Sequence, residues 1–233
     1  MKKIIFASFA LLIMLSGFSQ SDDGNKQTRQ VSGFHAIDVS GGIDLYLSNG
    51  PESVAISASS NSVRDHIKTE VEDGTLHIFM EKNWSRGIGS GHMKAYVSLP
   101  ELKSLEASGG SDVFLQNQIT AGDLQIRLSG GSDLKGKLNA NHLAITQSGG
   151  SDVNLSGNVQ NLQVEASGGS DLNGFDLVTD YASLNASGGS ESHLTVNKEL
   201  KIVASGGSDV TYKGAATVRE IKSSGSSSVT RKD

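Results

Sequence analysis

From Ile37 onward, apolar and polar residues alternate in short runs, and glycine-rich corners break those runs at a nearly fixed interval. In one copy, Val153 and Leu155 alternate with Asn154 and Ser156. Gly157-Asn158 turns the chain, and Leu162, Val164 and Ala166 then alternate with Gln163 and Glu165. Alternation with period two places one face of a strand in a core and the other in water. Two short strands and two turns per unit are therefore predicted. Leu124, Ile126 and Leu128 hold the same inward positions, as do Leu143 and Ile145, Ala182, Leu184 and Ala186, and Leu200, Ile202 and Ala204.

The unit boundary is the phrase Ser-Gly-Gly-Ser-Asp. It begins at Ser108, Ser129, Ser148 and Ser167, occurs as SGGSE at Ser187, returns at Ser205 and decays to SGSSS at Ser224, with gaps of 21, 19, 19, 20, 18 and 19 residues. A fixed period of this size is the signature of a solenoid, whose units bury their apolar face only by stacking on one another. The predicted fold is all-β, a right-handed parallel β-helix with coils of about 19 residues, because parallel strands joined by crossovers take that hand. Ile37 to Leu47 aligns with Leu105 to Leu115 without a gap, so a first coil already stands at Ser40. In the last copy Arg219 and Ser223 fall where Leu162 and Ala166 stood, a polar coil suited to blunting an open sheet edge.

Between the first coil and Ser108 the pattern changes. Val54, Ile56 and Ala58 alternate, as do Leu76, Ile78 and Met80, and Ala95, Val97 and Leu99. Val63 and Ile67, four apart after an Asn61 cap, predict one short helix. A Gly-rich loop from Asn83 to His92 holds the only tryptophan, Trp84, with Arg86 beside it. The resulting division is a signal peptide over 1–19, a flexible tether over 20–30, a first coil plus β-rich insertion over 31–107, and the SGGSD solenoid over 108–233.

Composition narrows the partners. Met1-Lys2-Lys3 and the apolar run Ile4 to Leu15 read as a secretory leader, too short for a comfortable membrane span. Its removal leaves 18 basic against 25 acidic residues, a balance that disfavours nucleic acid and anionic membranes. There is no cysteine, so neither disulfides nor a lipoprotein anchor enter the picture. The six histidines lack zinc-ligand spacing, and no nucleophile elbow or phosphate loop is present. No catalytic residue, metal or cofactor is assigned.

Two candidate sites remain. Coils in register bring Asp112, Asp133, Asp152, Asp171, Glu191 and Asp209 into one column, with Asp44 a further member. Unit charges ~4.8 Å apart repel by roughly 0.9 kcal/mol even in water, so donors or calcium must offset them, unless the motif is corner chemistry alone. The other is the Trp84 and Arg86 loop, suited to stacking on a sugar ring or to capping the core.

The opening Phe34 to Leu47, the stretch Thr69 to Ile78 (TEVEDGTLHI) and the serial SGGSD coils resemble, in combination, the head GIN domain family, whose members are labelled autotransporter adhesins. The resemblance runs from about Val31 to Val229. It implies a pectin-lyase-like β-helix and carries no catalytic set. An autotransporter's own membrane barrel would need many further strands, for which this chain has no room. The function expected is an exported, non-enzymatic, adhesin-like wall for glycan or cell-surface protein partners. It would act in the periplasm or at the cell surface. The alternatives are a self-assembling envelope protein, oligomerising through its coil ends, and a carbohydrate-active enzyme.

Overall fold

The computed structural model describes residues 26–82 and 91–232; the leader, the start of the tether, and Trp84 and Arg86 lie outside the described residues. The elements in order are β1 (Gln27–Arg29), β2 (Ala36–Ser40), β3 (Asp44–Asn49), β4 (Ser53–Ala58), α1 (Asn61–Asp65), β5 (Ile67–Glu72), β6 (Thr75–Met80), β7 (Met93–Leu99), β8 (Ser104–Ser108) and β9 (Val113–Leu115). Then come β10 (Ile119–Leu128), β11 (Leu134–Gln147), β12 (Asp152–Ala166), β13 (Asp171–Ala186), β14 (Glu191–Ala204), β15 (Asp209–Lys213), β16 (Thr217–Ser223) and β17 (Ser228–Arg231). The fold is an all-β solenoid of about seven turns, about 19 residues apart.

Its coils stack in parallel and in register, with Leu143 opposite Leu162, Leu162 opposite Ala182 and Ala182 opposite Leu200. The inward rows read from the alternation are the core, with Ile126, Val164, Leu184 and Ile202 no more than 2% exposed. The Gly157-Asn158 turn differs from expectation: the parallel ladder runs through it, and β12 is one bent strand. A side chain at Gly157, whose φ is 123°, would meet the Leu138 carbonyl. Without a Cβ the bend keeps its backbone pairing.

The insertion extends the same stack. β6 runs parallel to β2, and β7 parallel to β3, beneath the first coil. Below them the direction reverses, since β5 and β4 pair antiparallel with β6 and β7. Val54, Ile56, Val63 and Ile67 join one hydrophobic cluster with the coil residues, so the insertion closes that end of the core. The short helix α1 is present, but its N-cap is Ser60, not Asn61; the Ser60 hydroxyl accepts from the Val63 N–H at 3.2 Å. Asn61 lies one residue too late to cap.

Within the segment expected as a tether, Gln27–Arg29 form β1, which pairs antiparallel with β4. Arg29 fastens it by donating from Nη2 to the Arg64 and Ile67 carbonyls at 3.0 and 3.3 Å. At the far end a shift at Arg219 puts Val218 opposite Leu200 and Ile221 opposite Ile202. The core-row position expected for Arg219 therefore belongs to Val218, and Val218 and Ile221 are 38% and 42% exposed.

Candidate functional site

Corner geometry explains why the motif recurs. Parity alone makes the two polar residues of SGGSD different: Ser111 shares a face with Val113, while Asp112 faces outward. Ser111, Ser132, Ser151, Ser170, Ser190 and Ser208 are accordingly buried, each at most 1% exposed. Ser111 Oγ accepts from the Gly42 and Ile43 N–H groups of the coil below, both at 3.1 Å, and Ser132 Oγ accepts from the Ser111 N–H at 3.1 Å. Ser151 and Ser208 donate instead to the carbonyls that open their own corners, Ser148 and Ser205. At these four corners small hydroxyls satisfy backbone groups that the core would otherwise strand, whereas the Ser170 and Ser190 hydroxyls are buried without a partner. This interior serine row was not identified from the sequence, although the two-residue offset from Val113, Leu134 and Val153 signals it.

The first glycine of each later pair is held by contact. Gly188 has φ of 74°, and a Cβ there would lie 2.7 Å from the Gly168 carbonyl oxygen. The same closeness allows the Gly189 N–H to donate to Gly168 at 2.8 Å and the Gly207 N–H to Gly188 at 2.7 Å.

The carboxylates of the motif do form one row. Asp152 stands opposite Asp171, Asp171 opposite Glu191, and Glu191 opposite Asp209. Asp112 and Asp133 are tied in by backbone, for the Asp133 N–H donates to Asp112 Oδ1 at 3.2 Å and the Asp152 N–H to Asp133 Oδ1 at 3.3 Å. Lys135 pairs with Asp133 at 3.3 Å, and His193 faces Glu191 at 3.2 Å. Desolvation, then the charges of Asp133 and Asp171, push the Asp152 carboxyl up from its ordinary value against the pull of Lys135. Asp44, below Asp112, is raised first by burial and then by Asp112. Among the described residues, no three His, Asp or Glu side chains gather as a metal-holding group.

A second feature is a trough of about 430 Å³ crossing five coils. One bank is the row Asp123, His142, Asn161, Tyr181 and Glu199; the other is Gln125, Ala144, Gln163, Ser183 and Lys201. Between them lie Leu124, Leu143, Leu162 and Ala182, whose burial leaves polar side chains to form the banks. Ala144 and Ser183 are small beside Gln125 and Gln163, which deepens the trough. Tyr181 is 38% exposed there, and Lys198, bonded to Asp180 at 2.9 Å, lies 5.5 Å from its ring centre. The alternation places each of these residues outward, but it does not encode which outward rows border a trough.

The aromatics of the first coil behave differently. Tyr96, Tyr46 and Phe114 stack in sequence with centroids 5.1 Å apart, and Lys26 lies 3.8 Å over the Tyr96 ring. Their faces are largely spent on one another.

No curated protein matches the chain. Among solved structures, a "putative adhesin" from Bacteroides fragilis is similar with a TM-score of 0.82 at 20% identity, over 89% of this chain and 96% of that one. A "putative adhesin" from Parabacteroides merdae matches with a TM-score of 0.70 at 17% identity, over 90% and 97%. A "putative lipid binding protein" from Parabacteroides distasonis gives 0.68 at 19%, over 90% and 98%. These likenesses establish the shared fold. A family model described as "Putative auto-transporter adhesin, head GIN domain" matches residues 33–216, and the chain belongs to that head GIN domain family.

Proposed function

We propose that the protein is an exported, non-enzymatic, adhesin-like module that presents a rigid repetitive wall to a glycan or protein partner. The observation that carries this reading is the trough, in which outward side chains from five coils form two parallel polar rows. A partner lying along the solenoid axis meets a new pair of outward side chains at each coil, and weak contacts add because the lattice is fixed before binding. The family's adhesin description agrees with this, as does the leader read over residues 1–19. Export by that leader would place the protein in the periplasm or at the cell surface.

Geometry also favours binding over turnover. The trough's two carboxylates, Asp123 and Glu199, stand four coils apart. At ~4.8 Å per coil that is about 19 Å, whereas glycoside hydrolysis needs a pair within roughly 5 to 9.5 Å. The mature chain, residues 20–233, applied to glycan and cell-surface protein arrays, is expected to bind saturably without releasing new reducing ends. New reducing ends would move it to the enzymes, and absence of binding to either array would contradict the reading. Sedimentation that rises with concentration would instead favour the self-assembling alternative.

The carboxylate row is proposed as a second contact surface, because Asp152, Asp171, Glu191 and Asp209 stand opposite one another on successive coils. Melting with excess calcium and then with chelator tests it. A rise that Asp152→Ala with Asp171→Ala abolishes makes the row a cation site, and no change leaves it as corner chemistry.

A further inference from the structure

The geometry points to a specific occupant of the trough: a neutral, unbranched polysaccharide lying along the solenoid axis, with one sugar ring packed on Tyr181. This rests on the binding-module reading and narrows it to one ligand class and one set of residues.

Charge comes first. Of the ionisable groups on the banks, Glu199 is already engaged by Arg219 at 2.5 Å, which holds its carboxyl below the usual range. Asp123 and Lys201 carry opposite charges at the two ends. A nearly balanced trough offers nothing to a polyanion such as a uronate or sulfated chain. Nor does it offer a polycation the continuous acidic row that stands at the corner.

Hydrogen-bonding capacity comes second. Gln125, Asn161 and Gln163 each present an amide that can donate and accept, and Ser183 adds a hydroxyl. That dual capacity matches sugar hydroxyls, which also do both. The amides stand on the first and third coils and the hydroxyl on the fourth; coils advance by ~4.8 Å, roughly one ring of an extended glycan, so successive rings meet successive coils.

Aromatic surface comes third. Tyr181 stands on the bank at the fourth of the five coils, 38% exposed, with Lys198, paired to Asp180, over one face of its ring at 5.5 Å from the centre. An amphipathic ring with a fixed orientation and a polar tip is a low-entropy platform for the C–H face of a sugar. The larger aromatic set, Tyr96, Tyr46 and Phe114, is consumed by its own stacking and does not serve the same purpose.

The test is calorimetric titration of the mature chain with cello-, manno- and chito-oligosaccharides of two to six units, alongside oligogalacturonate as the charged control. Affinity for at least one neutral series is expected to rise with length up to roughly four or five units, the span of the trough, and then level off. Tyr181→Ala should weaken that binding about tenfold, and Gln163→Ala about threefold. Tyr46→Ala should leave it unchanged, with circular dichroism confirming the fold of each variant. Binding of a neutral series that Tyr181→Ala does not weaken would overturn the trough while leaving the module reading intact. Failure of all neutral series, or preference for the galacturonate, would overturn the ligand class, and array binding to a protein would then show whether the broader reading survives.

Discussion

The two parts of this solenoid solve the same packing problem by different means. In residues 108–232 each coil is covered by the next, and the same corner is used again and again. In residues 26–107 the first coil is closed by strands that reverse direction, with β1, β4 and β5 antiparallel to their neighbours and α1 between two of them. A stack of parallel coils must end somewhere, and an exposed edge invites association. The reversed layers close one end. At the other, Val218 and Ile221 remain on the surface among Arg219, Glu220 and Lys222, so charged residues protect the edge without covering it.

The sharpest way to break the repeat half is at a corner glycine. Gly188→Ala forces a left-handed φ on a residue with a Cβ and drives it into the Gly168 backbone; we expect a loss of about 3 kcal/mol in denaturant unfolding. Gly150→Ala is the matched control, since nothing lies within 4 Å and its φ is unexceptional. Its expected effect lies between zero and a gain of about 0.5 kcal/mol. Equal losses for both would mean that coil contact is not what the glycine pair provides.

The capped half should break locally. Arg29→Ala removes two hydrogen bonds from a charged donor to carbonyls of α1 and β5, and about 2 kcal/mol is expected. Hydrogen exchange should quicken in β1 and β4 while the coils from β11 onward stay protected. Uniform loss of protection would show that the two halves form one cooperative unit.

The smallest effect is electrostatic. Because the Asp152 carboxyl is raised in the fold, the native state holds its proton to higher pH than the unfolded chain does. Its contribution therefore falls as pH rises from the ordinary carboxyl range through the raised folded value. Asp152→Asn should melt slightly higher than the parent at pH 7, with the difference vanishing at acid pH. The residue is exposed, so screening keeps the gain small. A variant that melts lower at pH 7 would mean that the attraction of Lys135 for the Asp152 carboxylate outweighs the repulsion.

The same contrast explains what was legible. In the repeat half, period-two alternation and a fixed interval determine nearly everything, and Leu162, Val164 and Ala166 point inward as read. The buried serines were encoded equally plainly, but a polar residue beside glycine reads as surface unless its parity is counted. In the capped half no repetition averages out local ambiguity. Asn61 and Ser60 are both good caps, and only backbone geometry separates them. Gln27–Arg29 has no apolar alternation, and its strand exists because β4 offers a free edge and Arg29 finds carbonyls across it. The trough was illegible for a further reason: Asp123, His142, Asn161, Tyr181 and Glu199 share no residue type, and only their register relates them.

Whether ligand is held by the repeat coils and not by the cap can be read by mapping backbone amide chemical shifts during titration with whichever neutral hexasaccharide binds. Perturbations are expected to cluster at 123–125, 142–144, 161–163, 181–183 and 199–201, recurring once per coil and leaving residues 26–107 unmoved. Perturbations concentrated around Tyr46, Tyr96 and Phe114, without that periodicity, would contradict a site on the repeat coils.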